Sequence, residues 1–175
     1  MSREMSSSKT ELHLPARHAE PKHTQNGRAK KGAAICRSCM HIFYQKQWVH
    51  PKFASHKVLE EANKSKHVML CPACLMSEQH LYEGEVLIHQ VPEHYEKELV
   101  NLINAYGRRA VVQDSQHRVI AVEKKGLSYR VTTTENQLAA KLAKKIKEVF
   151  KGISDLRILH SKAPYAVERA VLIFA

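Results

Sequence analysis

The chain has 175 residues, 28 Lys and Arg against 17 Asp and Glu, a formal net charge of +11, and 43% hydrophobic residues. That is long enough for one full domain with additions and short for two large ones. Its longest apolar runs, such as Val68 to Leu70 and Ala170 to Ala175, cover only a few residues, far below the roughly 18 that a membrane-spanning helix needs. Residues 1–20 carry acids and lack the apolar stretch of a secretory signal, so the expectation is a cytoplasmic protein with no membrane association. A positive surplus of this size attracts polyanions.

Residues 1–34 hold seven basic and three acidic side chains and show neither a helical nor a strand period. Such a segment buries too little apolar surface to offset the entropy of ordering, and it is expected to be a disordered basic arm. Arg28, Lys30 and Lys31 close it with a basic cluster. That cluster reads either as a phosphate contact or as part of a solubilising tail.

Residues 35–84 form the expected metal-binding segment. Cys36, Cys39, Cys71 and Cys74 are the only cysteines and follow the pattern C-x2-C-x31-C-x2-C. Each pair places two thiolates on one tight turn, and two such turns facing each other offer four sulfurs to a tetrahedral ion. The expected cofactor is one structural zinc ion, because four protein ligands leave no open position for substrate. Thioredoxin-like redox use of a C-x-x-C is the competitor, and no βαβ pattern surrounds the pairs to favour it. The site's formal charge of −2 calls for cations or N–H donors, for which Arg37 is placed. A short helix over Ser55 to Asn63 is expected in the long gap. His41, His50, His56 and His67 are expected at surface or packing positions, since four sulfurs already complete the site.

Phe43, Tyr44, Trp48 and Phe53 gather four of the chain's eleven aromatics just after the first cysteine pair. Packing around the metal is the expected role, with stacking on unpaired bases the alternative. Lys46 and Lys52 interleave with these rings and are candidate nucleic-acid contacts.

Residues 85–175 read as an α+β domain with a mixed or antiparallel sheet and two helices. Glu85 to Gln90 predicts a strand. A helix then opens at Pro92 with Glu93, Glu96 and Glu98 near its positive end. Tyr95, Leu99, Leu102, Ile103 and Tyr106 form its apolar stripe, and Gly107 is expected to end it, with Arg108 and Arg109 just beyond as candidate RNA contacts. Ala110 to Gln113, Arg118 to Glu123 and Leu127 to Thr132 read as a three-stranded meander. A second helix is expected from Thr134, boxed by Gln137, to Gly152, with Leu138, Leu142, Ile146, Val149 and Phe150 inward. Strands over Asp155 to His160 and Tyr165 to Phe174 close the domain.

From Lys141 to Lys151 that second helix has Lys141, Lys144, Lys145, Lys147 and Lys151 against the single acid Glu148. A solvated face would normally mix both signs, so backbone phosphate is the expected partner of Lys141, Lys144, Lys145 and Lys151. An ammonium lacks the bidentate fork that arginine offers to guanine, which points to sequence-tolerant binding.

The cysteine knuckles, the strand opening Tyr82-Glu83-Gly84-Glu85-Val86, the segment Gly126-Leu127-Ser128-Tyr129-Arg130-Val131, and the lysine-rich helix from Gln137 to Phe150 together resemble one known family. This is the N-terminal domain of the nonsense-mediated mRNA decay protein three family, and the likeness runs over roughly residues 36–174. The resemblance implies a non-enzymatic zinc protein that binds rRNA on the intersubunit face of the large ribosomal subunit. Cys36, Cys39, Cys71 and Cys74 carry over as zinc ligands. The family usually has four C-x-x-C pairs and often a glycine after the knuckle, where this chain has two pairs followed by Met40 and Leu75. The family's translation-factor-like and oligonucleotide-fold domains lie beyond the matching stretch, so their contacts and export role do not transfer. Subunit assembly, blocking of subunit joining, and hibernation all stay open as roles.

Two other classes compete. A zinc-ribbon transcriptional or mRNA-binding regulator would want base-reading Arg, Asn or Gln on an exposed helix, where this chain has mainly lysine. An enzyme is not expected: the Glu93, Glu96 and Glu98 group is explained by helix electrostatics rather than by a two-metal carboxylate site, and the six glycines sit singly and build no phosphate-cradling loop. No small-molecule substrate is expected.

Overall fold

The computed structural model describes residues 32–161 and 167–175. Arg28, Lys30 and Lys31, with the rest of the arm up to Lys31, lie outside the described residues, as does the expected strand start at Tyr165. Ala33 and Ala34, counted with the arm from sequence, are buried in the cysteine module instead.

The module is a four-stranded sheet in the order β3-β2-β1-β4, made of β1 (Ala34–Cys36), β2 (Ile42–Tyr44), β3 (Gln47–Val49) and β4 (Val68–Met69). Gln45 and Lys46 join β2 to β3 with φ of 47° and 65°, the left-handed pair whose twist matches a two-residue hairpin. The chain then passes through a 3-10 turn, Pro51–Phe53, and α1 (His56–Ser65) before β4 pairs parallel to β1. Ser55 caps α1, its Oγ accepting the Val58 N–H at 3.4 Å. Val58, Leu59 and Ala62 seat α1 on Ala33, Ile35 and Ile42. Strands of two or three residues cannot sustain a sheet alone. The four cysteines supply what the small core lacks, with Trp48 and Leu70 packed on them. α2 (Pro72–Glu78) leaves the second knuckle directly, with proline at its first turn, where no N–H is needed.

The second unit contains β5 (Gly84–His89), α3 (Glu93–Gln113), β6 (Val119–Lys125), β7 (Ser128–Thr133), α4 (Asn136–Val149), β8 (Ile153–His160) and β9 (Glu168–Phe174). Its mixed sheet runs β6-β7-β5-β9-β8, with β5 and β9 parallel at the centre and every other pair antiparallel. Alternation along the strands sends Val86, Ile88, Val131, Ala170, Leu172 and Phe174 to the side of the two helices. There Leu99 and Ile103 of α3 and Leu142 and Ile146 of α4 complete one core.

On the opposite face, Glu85 is buried between two arginines. Its carboxylate accepts Arg130 Nε–H at 2.6 Å on one oxygen and Arg169 Nε–H on the other. The Arg130 guanidinium also lies 5.0 Å from the Tyr82 ring, which ties the link between module and sheet to the second unit.

Gly107 does not end α3: the helix runs on to Gln113, so Ala110–Gln113 is helix and the expected meander is the single hairpin β6–β7. Gly107 is buried against Val119 of β6, and the close approach outweighs the roughly 1 kcal/mol that glycine costs inside a helix. Arg108 and Arg109 consequently sit on the body of α3, both exposed. The Thr134 capping box does not form. Thr134 Oγ1 donates to the Gln116 carbonyl at 2.6 Å and accepts the Arg118 N–H at 2.9 Å, and α4 begins at Asn136 with no side-chain cap. Val149, expected inward, is exposed at the end of α4.

Candidate metal centre and basic surfaces

The two knuckles meet at one point. The sulfurs of Cys36, Cys39, Cys71 and Cys74 all lie within 4.8 Å of one another, and none is in a disulfide. Cys39 and Cys71 are 3.7 Å apart. A tetrahedron of sulfurs about 2.3 Å from a central ion has edges of about 3.8 Å, so the spacing fits a four-sulfur metal site. Among the described residues this is the only cluster of three or more such ligand groups.

The surrounding backbone suits anionic sulfur. The Cys71 N–H points at Cys36 Sγ and the Cys74 N–H at Cys71 Sγ, both at 3.4 Å. The first knuckle is folded by the Met40 N–H bonding the Cys36 carbonyl at 3.0 Å. Arg37, expected to offset the site's charge, is turned away and pairs with Glu78 at 3.5 Å, both largely in solvent. Backbone N–H groups serve in its place.

Cys39 is the one cysteine of the four that is not fully buried. The Cys71 thiol beside it lowers its pKa to about 3. Cys71 is pushed up by that same bond and by burial, and Cys74 is raised chiefly by burial. A divalent cation binds such thiols as thiolates, so its binding would release their protons. With four protein ligands such a site would leave no open position for substrate.

The four histidines of the module stay out of the cluster. His41 is buried with Nδ1 3.2 Å from the Cys39 carbonyl oxygen, and its ring meets His50 edge-on at 4.9 Å. His56 faces Glu60 at 3.8 Å, and His67 is exposed. Of the four aromatics, Trp48 packs on the cysteines, Phe43 lies 5.3 Å from Trp48, and Tyr44 packs beside Ile42. Phe53 alone departs from the packing role: it is 61% exposed.

The candidate RNA contacts fall in separate places. Lys46 occupies the β2–β3 turn and Lys52 the 3-10 turn, both exposed. Lys141, Lys144, Lys147 and Lys151 lie exposed along the outward side of α4 and just past its end. Among the described residues no carboxylate pairs with any of these four. Lys145 is half-buried and bound to Glu148 at 2.9 Å, which removes it from the free set. Arg108 lines a hollow of about 390 Å³ between α3 and β6 together with Asn104, Val111, Arg118 and Val119, and no acidic residue lines it. Sequence reasoning did not single out Arg118, because only the unforeseen extension of α3 past Gly107 sets it beside Arg108.

Compared with models of known protein families and with curated protein sequences, the chain matches none.

Proposed function

We propose that this chain is a non-enzymatic, zinc-stabilised RNA-binding protein that docks on rRNA of the large ribosomal subunit. The observation that carries the proposal is the row of lysines Lys141, Lys144 and Lys147 on α4 and Lys151 just past its end, none paired with a carboxylate among the described residues. At a rise of 1.5 Å per residue Lys141 to Lys147 covers about 9 Å, and Lys151 extends the row past the helix end, enough to reach more than one phosphate. Lysines left without carboxylates keep their full charge for counterion exchange with a phosphate backbone, and surface solubility alone would mix in acids.

Zinc is the ion the site suits, since four thiolates at these separations match its tetrahedral preference and its affinity for sulfur. A closed site supports a structural role, which is why the proposal assigns no reaction. His94-Tyr95-Glu96 on α3 does match the His-x-Glu of zinc deaminases, but Glu96 is engaged by Lys124 at 2.6 Å. The choice of the large subunit rests on the resemblance to the nonsense-mediated mRNA decay protein three family.

Co-sedimentation with purified large subunits tests the proposal. The protein is expected to pellet with them at 50 mM salt and to be largely released by 200 mM, as counterion exchange requires. Absence from the pellet at 50 mM salt overturns it.

A further inference from the structure

We infer that Phe53 is a stacking platform for an unpaired nucleobase, with Lys52 beside it taking the neighbouring phosphate. This rests on the RNA-binding reading above and adds to it a site for single-stranded rather than duplex RNA.

Single exposed hydrophobic residues are ordinary on protein surfaces. Phe53 differs in how it is mounted. Pro51 fixes the backbone of its 3-10 turn, and His50 Nδ1 accepts the Lys52 N–H at 3.0 Å. The His50 ring lies 6.0 Å from the Phe53 ring, and the buried His41 ring lies 4.9 Å behind His50 at 88°. His41 in turn bonds the carbonyl of Cys39, a ligand of the metal centre. A line of three rings therefore runs from the cysteine cluster to the surface and ends in a phenyl ring that is 61% exposed. A ring held this way loses little freedom when a base stacks on it.

The charge around the ring selects the partner. Of the described basic residues in this stretch, Lys46, Lys52 and Lys57 are exposed and pair with no carboxylate among the described residues. Lys52 Nζ sits 5.9 Å from the Phe53 centroid. The exposed neighbours Ser55, His56 and Lys57 are polar or basic, where an apolar protein pocket would want a wider greasy rim. An aromatic face set in uncompensated positive charge is the combination that holds single-stranded nucleic acid, through stacking on the ring and phosphate contact at its edge.

The test uses the full-length, metal-loaded protein and a fluorescein-labelled oligouridine of about 12 nucleotides, roughly one single-strand site. Phe53→Ala and Phe53→Leu are expected to weaken binding about ten- to hundredfold, and Phe53→Trp to restore it. Affinity for a blunt RNA duplex should be unchanged in all three. Metal content of one ion per chain confirms that each variant is folded. Oligouridine affinity in Phe53→Leu equal to that of the unaltered protein overturns the stacking platform and leaves the lysine face standing. Failure of the unaltered protein to bind either RNA at low salt overturns this inference and the proposed function together.

Discussion

A methyl group on Gly107 would come within 2.9 Å of Val119 Cγ2, so α3 approaches β6 as closely as a residue without a side chain allows. Val119 is β-branched, so its methyl groups shift only with a change of χ1 or of the backbone. Gly107→Ala is expected to destabilise the protein by about 1 kcal/mol, overpacking outweighing the better helix propensity of alanine. Gly84 is tighter still. A Cβ there meets Thr133 Oγ1, the Glu135 carbonyl oxygen at 2.6 Å and Ala139 Cβ at 2.7 Å. Gly84→Ala should cost about 3 kcal/mol or more, because a backbone atom cannot step aside. Urea denaturation of both variants checks the order.

Glu85 is the buried acid on which Arg130 and Arg169 converge. Removing it leaves the Arg169 guanidinium, only 11% exposed, without its partner. Glu85→Ala is expected to destabilise the fold by about 3 to 5 kcal/mol. Arg130→Ala should cost less, since Arg130 is one-third exposed and its partner Glu85 retains Arg169. Thermal melts that rank the two variants the other way would contradict this reading of the cluster.

Met40 takes φ of 62° at the turn of the first knuckle, and its side chain is 58% exposed. Left-handed backbone costs an L-residue roughly 1 to 2 kcal/mol that glycine does not incur. Met40→Gly is therefore expected to raise the stability of the metal-loaded protein by about 1 kcal/mol, with metal content unchanged. A loss of stability would mean that the exposed side chain makes contacts in solution.

Metal analysis should find one zinc per chain, and Cys71→Ser should remove it. Cys71 is the strongest single test, because its Sγ contacts Cys39 Sγ and accepts the Cys74 N–H while its backbone N–H reaches Cys36 Sγ. Strands as short as β1 to β4 are expected to lose their order with the ion. Near-ultraviolet dichroism of Trp48, packed on the cysteines, reports that loss. A Trp48 signal that survives complete chelation would show that the module folds without metal.

How much was legible in the sequence varied with the physics of each element. The inward stripe of α4 was read correctly at Leu138, Leu142, Ile146 and Phe150, because a long amphipathic period averages over local exceptions. Val149 failed at the helix end, where the period no longer decides. α3 was cut short at Gly107 because a glycine that stops a helix and a glycine that lets a helix touch a strand are the same letter. Thr134 looked like a cap, yet its hydroxyl is spent on Gln116 and Arg118, partners eighteen and sixteen residues away that no local pattern reveals. The four cysteines were legible from spacing alone. The pairings of Lys145 with Glu148 and of Arg37 with Glu78 were not, since side-chain placement and not spacing alone decides them. Phe53 was expected to pack with its three neighbours, and only the geometry separates it from them.

The lysine face of α4 is tested most directly by the salt dependence of RNA binding. Replacing Lys141, Lys144, Lys147 and Lys151 with Gln removes four charges and keeps the helix, as all four side chains are exposed. Each phosphate contact contributes about 0.7 to 0.9 to the slope of log K against log salt concentration. The quadruple variant should bind large-subunit rRNA with a slope shallower by about 3. An unchanged slope would show that these lysines touch no phosphate and would contradict the account.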